Sequence, residues 1–416
     1  MAKYSKLALS LLIVMIANTH SALYAAFDRY PSPKGAAVHI SRMAETLFAT
    51  MGGGLLYVLG DESLPVYQSE GNVDILRFAE PEPNFLRRTV LFSQTLSAVL
   101  HRHGQSLRLC HFRDPWSGVP ILSYPLRAYR TVYEVNGLPS IELRFRYPHL
   151  SAQTIAKIQA LEVFCLTRAD VIVVPARTLA TNLVRLGVPA RKIGIVPNGA
   201  DLQEPTPRPA DAPEMYLLYF GALQNWQGFD DALRAFRLLA DYTDLALVAC
   251  VASHPRTARR YQKLAEKLGL TSRVIWKFAL SEEELAPWRE HAYLSLAPLT
   301  ACARNLEQGC APLKILESMA AGVPVVASDV PPTREIIRSR DNGWLVPPER
   351  PEELARAIRI LLEYPERRMT LGENARETIR TQFQWQYSLT ELSRLYATLL
   401  TTRPATLVQD IYADSV

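Results

Sequence analysis

The chain has 416 residues, 48% hydrophobic and 21% charged, with 46 Lys+Arg against 41 Asp+Glu and a formal net charge of +5. That length predicts two or three domains, and the apolar fraction excludes disordered and fibrous classes. So mild a charge gives no argument for nucleic acid, while it suits a surface that visits anionic lipid. Five scattered cysteines (110, 165, 250, 302 and 310) form no C-x-x-C pair, which argues against a disulfide framework or zinc ribbon and for a reducing compartment.

In chain order, Lys3 and Lys6 precede the eleven-residue apolar run Leu7–Ala17, which reads like the n- and h-regions of a signal peptide. The run is short for a membrane span, which needs about 20 residues. Cleavage just downstream would clip a first strand at Ala22–Phe27. Residues 1–21 therefore read as an extension of one of three kinds: a membrane-associating segment, an exported leader, or sequence upstream of a true start near Met15. From Ala22 onward, strand-like runs (Leu55–Leu59, Ile75–Phe78, Leu107–Cys110, Thr131–Val135, Val171–Val174) alternate with helix-period stretches (Ala36–Met51, Phe85–His101, Ala152–Arg168, Arg177–Leu186). Such alternation means βαβ units and a mainly parallel sheet. The segment 205–213, PTPRPADAP, holds four prolines in nine residues and predicts a stiff linker between domains. The alternation restarts with strands Met215–Phe220, Leu245–Val251, Val274–Trp276, Leu294–Ala297, Val323–Ala327 and Trp344–Val346. Helices are expected at Asp230–Ala240, Arg256–Leu268, Glu282–Glu290 and Glu352–Leu362. Residues 386–416 read as a final helix and tail reaching back to the first domain. The expected division is thus 22–204, linker 205–213, and 214–385: two doubly wound α/β domains facing a central cleft, where ligands of parallel sheets bind.

The most informative stretch is 309–329, GCAPLKILESMAAGVPVVASD. Pro312 suits a first helical position, and Gly322 with Pro324 suits a helix end. The amides of Gly309, Cys310 and Ala311, with Pro312 and Leu313 opening the helix, can face a phosphate at its positive end. Lys314 and Glu317, three apart, share one face: a cation for the diphosphate and a carboxylate able to accept both ribose hydroxyls. The plain alternative is a helix carrying a surface ion pair.

Residues 310–348 with the following PEELARAI, the segment VPNGADL (Val196–Leu202), FGALQNWQGFDDALRAF (Phe220–Phe236) and FDRYPSPKGAAVHI (Phe27–Ile40) resemble, in order, the landmarks of family 4 glycosyltransferases of the GT-B fold. The resemblance implies two Rossmann-like domains and a retaining transfer of a hexosyl group from a nucleotide sugar, with a UDP-sugar the expected donor, onto a glycolipid or lipid-linked glycan. A soluble sugar acceptor, or a non-catalytic nucleotide-sugar binder, are the alternatives. Neither metal nor other cofactor is called for: no Asp-x-Asp pair sits at an expected strand end, so the helix dipole and Lys314 would do a metal's work.

The chain also departs from the family pattern. The second Glu of the family's Glu-x7-Glu pair is Glu317, but the first position holds Gly309, with Glu307 two residues away as a substitute. Ala222 and Gln227 stand where the family places an Arg and a Lys, which leaves Arg304 and Lys314 as the expected diphosphate cations beside Gly221. In the first domain, Gly35 opens a helix after a loop that the donor can approach. His111 and Arg113, at a strand's carboxyl end, are expected to hold donor hydroxyls, against the plainer reading in which Arg113 pairs with Asp114. Glu134 and Asn136 are expected on the acceptor side. Arg87, Arg88 and the run RFRYPH (Arg144–His149) mix cations with aromatics and could meet anionic headgroups. The implied address is cytoplasmic, peripheral on the inner face of the plasma membrane, with no nucleic-acid partner.

Overall fold

A computed structural model describes residues 19–32, 35–252, 254–309 and 311–401. The apolar run at residues 7–17, Cys310 and the tail after Thr401 lie outside the described residues. The chain divides into two compact units. The first comprises the chain to Pro175, Ala180–Val196 and the residues from Leu389 on; the second comprises Ala176–Leu179 and Pro197–Ser388.

The first unit is built on an eight-stranded sheet of β1 (Ala22–Arg29), β2 (Gly54–Leu59), β3 (Tyr67–Glu70), β4 (Val73–Phe78), β5 (Leu109–Phe112), β6 (Arg130–Glu134), β7 (Val171–Val174) and β8 (Ile193–Ile195), in the order β3-β4-β2-β1-β5-β6-β7-β8. Every pairing is parallel except β3 with β4. The second carries a six-stranded, wholly parallel sheet of β9 (Met215–Gly221), β10 (Leu245–Val251), β11 (Val274–Phe278), β12 (Leu294–Ala297), β13 (Val325–Ser328) and β14 (Trp344–Val346), ordered β11-β10-β9-β12-β13-β14. Both sheets reverse direction beside their first strand, between β1 and β5 and between β9 and β12. These reversals are where the carboxyl ends of strands open a ligand crevice in doubly wound sheets.

Strand alternation fixes which residues face which layer. In β9, Leu217 and Tyr219 enter one buried cluster with Phe229, Leu233 and Phe236 of the helix Phe229–Arg237, and with Ile358 of the helix Pro351–Glu363. Tyr216, Leu218 and Phe220 enter the opposite one with Trp288. Each large side chain fully buried this way contributes roughly 1.5–3 kcal/mol of transfer free energy. The uniformly apolar β10 is buried at every position, the pattern of a strand covered on both faces.

Several expectations change. The proline-rich segment 205–213 is not a free linker: the chain passes between units near Val196–Pro197. Its residues are bonded into the second unit, with Thr206 N–H donating to Glu290 at 2.7 Å, His291 Nε2 on the Thr206 carbonyl at 2.7 Å and Lys277 on Asp211. Proline denies ladder hydrogen bonds but leaves carbonyls and neighbouring polar groups to anchor the strap. The helices Pro115–Ser123 and Pro139–Arg146 were not anticipated; the second takes up part of the expected basic–aromatic loop. Both begin at proline, and the first carries Gly118 and Pro120 inside, which masks a helical period in the sequence. Among the described residues, no helix is long and apolar enough to cross a membrane.

Candidate active site

In the first unit the carboxyl ends of β1, β5 and β6 lie side by side, with Ala25 opposite Phe112 and Phe112 opposite Tyr133. Residues flanking these positions, with His39 of the helix Gly35–Met51, form one buried polar cluster centred on Glu134. Tyr24 donates its hydroxyl to Oε2 at 2.7 Å, and Arg113 Nε donates to Oε1 at 3.1 Å. His111 Nε2 and His39 Nδ1 approach at 3.2 and 3.3 Å, and the Asn136 amide donates to Oε1. Burial alone would raise the Glu134 carboxyl, but the Arg113 charge and the histidine bonds overcome it and hold the group well below the usual carboxylate range. Arg113 continues outward: Nη1 donates to Asp28 at 3.1 Å and to the Ala36 carbonyl at 3.3 Å, so it joins the end of β1 to the first turn of the helix Gly35–Met51.

These contacts place the expected residues as follows. His111 is fully buried and Glu134 is 2% exposed, and both face other side chains of the same unit. Asn136, half-buried, is tied to Glu134. Arg113 pairs with Glu134 and Asp28, whereas Asp114 caps the helix Pro115–Ser123 and accepts the Phe27 N–H at 2.6 Å. Of the first-unit candidates, Gly35 stays at the exposed start of its helix, and Arg113 alone spans from the buried cluster to the loop. Tyr24, His39 and Tyr396 were missed; aromatic and imidazole groups inside apolar runs carry no sequence mark of a polar partner.

In the second unit the site is built around the helix Leu313–Ala320, which follows β12 and is entered from Pro312, one residue later than the proline reading places it. Asn198, 1% exposed, donates to the Ala311 carbonyl at 2.8 Å and so fixes the loop ahead of the helix. Ser318 donates to Ser295 at 2.8 Å and docks the helix on β12. This seats Lys314 against β9: a Cβ built on Gly221, at φ +113°, would lie 3.6 Å from its Nζ. The ammonium sits over the Tyr219 ring, 4.3 Å from the centroid, and has no hydrogen-bond partner among the described residues, although the side chain is only 9% exposed. Desolvation, opposed by Glu317 and assisted by Arg304, lowers it to about 7. Tyr219 was not singled out, but it lies two residues before Gly221 in the strand, on the same face.

Glu317 is half-buried, and its carboxyl is raised by burial, with Arg289 pulling the other way. Arg289, on the helix Glu282–Glu290, is 1% exposed, donates to Glu282 at 2.5 Å and leaves Nε and Nη1 without partners among the described residues. Arg304 opens a π-helical turn, Arg304–Gln308, with its guanidinium 5.0 Å from the Trp226 ring. Asn305 ties that turn to the loop after β9 through the Trp226 carbonyl at 2.9 Å. Glu307 lies on the exposed side of the turn. At Gly309, φ is +65° and a Cβ would stand 2.5 Å from Thr178 Cγ2. The position that carries a glutamate in the family pattern is therefore closed to any side chain in this backbone. Among the described residues, no group of three or more His, Cys, Asp or Glu is placed to hold a metal.

Two doubly wound parallel-sheet units, the second with a helix N-terminus and a buried cation at its switch point, define the GT-B class of glycosyltransferases. The family descriptions "Glycosyl transferases group 1" and "Glycosyltransferase Family 4" match residues 203–378 and 33–204. A D-inositol 3-phosphate glycosyltransferase of Thermobispora bispora is 30% identical over 76% of this chain and 74% of its own. One from Xylanimonas cellulosilytica is 29% identical over 57% of this chain, and the match spans only 59% of that relative's length. Among solved structures, the sucrose-phosphate synthase of Thermosynechococcus elongatus superposes with TM-score 0.75 at 22% identity over 91% of this chain and 99% of its own. HepE of Anabaena, solved with UDP-glucose, gives 0.71 at 16% identity over 91% and 100%. The chain belongs to the family 4 glycosyltransferases.

Proposed function

We propose that this glycosyltransferase draws a hexosyl group from a nucleoside diphosphate sugar, UDP-linked by preference, and that the second unit holds the nucleotide. One observation carries the reading: a buried ammonium, Lys314, without a hydrogen-bond partner among the described residues, lies at the start of a helix beside a glycine and one turn from a carboxylate. A desolvated cation is costly unless an anion completes it, and the helix start adds a positive dipole. In the proposed complex the diphosphate lies against Lys314 and the amide N–H groups of Ala311 and Leu313, Pro312 between them having none. Arg304 approaches from the turn braced on Trp226, replacing the clamp absent at Ala222 and Gln227. Glu317 accepts the ribose hydroxyls. Glu307, on the exposed side of its turn, is the candidate contact for the transferred sugar. As the glycosidic bond breaks, negative charge grows on the leaving diphosphate, and fixed cations and dipoles lower the barrier there. Transfer then proceeds without a metal and with retention, the acceptor entering on the leaving group's face and the phosphate assisting its deprotonation. HepE of Anabaena, a structural neighbour crystallised with UDP and with UDP-glucose, supports the choice of donor.

For the acceptor, the proposal is a glycolipid or lipid-linked glycan reached from the inner membrane surface. The support is a basic–aromatic patch on the first unit: Phe85 against Tyr147 at 5.2 Å, Arg146 over Tyr147 at 5.7 Å, and Arg87 beside them in sequence. Near an anionic surface each such cation adds on the order of 1 kcal/mol. The donor is tested by thermal shift with UDP-, GDP-, ADP- and TDP-sugars. Stabilisation by one of them, lost in Lys314→Ala, supports the reading, and no response to any of them contradicts it. Co-sedimentation with anionic and neutral vesicles, followed by mass spectrometry of products from a lipid extract, tests the acceptor.

A further inference from the structure

The buried cluster of the first unit continues past Glu134 to the end of the chain. His111 Nδ1 lies 2.5 Å from the hydroxyl of Tyr396, a residue 285 positions away on the helix Trp385–Thr401. From Tyr396 an unbroken series of contacts runs through His111 to Glu134 at 3.2 Å, on to Arg113 Nε at 3.1 Å, and then from Arg113 Nη1 to Asp28 and the Ala36 carbonyl. We infer that Tyr396 is a positioning residue: through His111 and Glu134 it sets the guanidinium of Arg113, and with it the end of β1 at Asp28 and the first turn of the helix Gly35–Met51 at Ala36. The inference rests on the reading that Arg113 and this helix start serve the transferred sugar or the acceptor.

The donor and acceptor roles along the series are mutually consistent. Glu134 is an acceptor only, so the Nε2 of His111, 3.2 Å from it without forming a formal hydrogen bond, faces it favourably with a proton in place; Nδ1 of that neutral tautomer accepts, and the Tyr396 hydroxyl is the group that can donate there. A second phenol, Tyr24, donates to the same carboxylate and packs tilted at 37° against the His111 ring, 4.9 Å between centroids, so the imidazole is braced from a second side. All of Tyr24, His111, Glu134 and Tyr396 are at most 2% exposed. In such surroundings a hydrogen bond is strengthened and an orphaned partner is costly, so the series has few alternative arrangements. Arg113 is the outlet: its far end meets Asp28, whose side chain is 49% exposed. The end of β1 has its own second tether in the Phe27 N–H to Asp114 bond. Loss of the arginine contacts should therefore loosen the link between the strand end and the helix start without unfolding the strand.

The test compares full-length wild type with Tyr396→Phe, Arg113→Lys and the double variant. Two measurements are made: amide exchange across residues 27–30 and 36–40, and hydrolysis of UDP-glucose without acceptor. Expected is faster exchange in both segments in Tyr396→Phe, by about 3–30-fold, with exchange in β7 unchanged. Donor turnover should fall about 3–20-fold in Tyr396→Phe, and the double variant should be no worse than Arg113→Lys alone, since groups acting through one contact are non-additive. Losses that multiply in the double variant, or exchange in these two segments equal to wild type, would overturn the inference. If Arg113→Lys keeps full turnover, the reading of Arg113 at the sugar fails, while the exchange data still decide the Tyr396 connection. Should Tyr396→Phe fold poorly, His111→Asn, which cuts the same series one step on, must reproduce the faster exchange at the strand end and helix start.

Discussion

The ammonium of Lys314 stands over the face of the Tyr219 ring, 4.3 Å from its centroid, so the strand that ends in Gly221 both shapes the crevice and supports its cation. The ring face offers negative quadrupole density where water is excluded, an interaction of about 2 kcal/mol when desolvated. The phenol hydroxyl itself is turned to the Ala222 carbonyl at 2.9 Å. Tyr219→Phe should therefore leave nucleotide affinity within about twofold, whereas Tyr219→Leu should weaken it about 10–30-fold, the equivalent of that interaction. Calorimetric titration of the two variants checks the contrast, and equal losses in both would assign the effect to the hydroxyl.

Lys314 gives the free protein a distinctive pH dependence. Its folded value, about 7, lies below the ordinary lysine value of 10.5, so between these limits the unfolded chain holds the extra proton. Stability should therefore rise with pH across that window, by at most roughly 1.4 kcal/mol per unit from this group. Below pH 7 the penalty is fully present, and above 10.5 the gain is complete. Lys314→Met should remove this contribution, visible as a flatter urea-midpoint profile between pH 7 and 9. A bound diphosphate restores the charge, so binding at pH 8 should take up a proton. Titration in buffers of different ionisation enthalpy measures that uptake directly.

Arg289 is the charge that counters desolvation at Glu317. Replacing it by Met should raise the Glu317 carboxyl further, so that more of it is protonated at pH 6 than at pH 8. Since the ionised form is the one that accepts two ribose hydroxyls, Arg289→Met should weaken nucleotide binding more at pH 6 than at pH 8. Glu317→Gln should show the loss at both. A uniform loss in Arg289→Met would mean packing damage alone.

Gly309 marks where this chain leaves the family pattern for a steric reason. Reinstating the carboxylate by Gly309→Glu places a Cβ in a left-handed backbone, 2.5 Å from Thr178. The substitution should destabilise the protein by about 1–3 kcal/mol and lower donor turnover. Thermal melts and turnover of Gly309→Ala, which carries the same Cβ without the charge, should follow it closely.

Much of this fold is legible in the sequence because its signals are local. The unbroken apolar run of β10 announces a strand buried on both faces, and Pro312 with Gly322 brackets the helix that carries Lys314 and Glu317. The first-unit site was less legible. Glu134 ends a strand and looks like an open contact, but its five partners come from β1, β5, the helix Gly35–Met51 and its own loop. No spacing rule relates Tyr24 or Arg113 to it, and His111 and Tyr396 meet across 285 residues. The segment 205–213 misled for a related reason: proline content reports backbone stiffness, whereas attachment to the second unit depends on Glu290, Lys277 and His291, far along the chain.

The measurement that bears most directly on the account is nucleotide binding, by titration calorimetry, in Lys314→Ala and Glu317→Ala, using the best-stabilising donor of the thermal-shift panel and its nucleoside diphosphate. The account predicts that Lys314→Ala weakens both ligands at least about tenfold and cuts donor turnover roughly 100-fold or more. Glu317→Ala should weaken both ligands comparably, and each variant should melt as a folded protein. Near-wild-type affinity and turnover in both folded variants would contradict it.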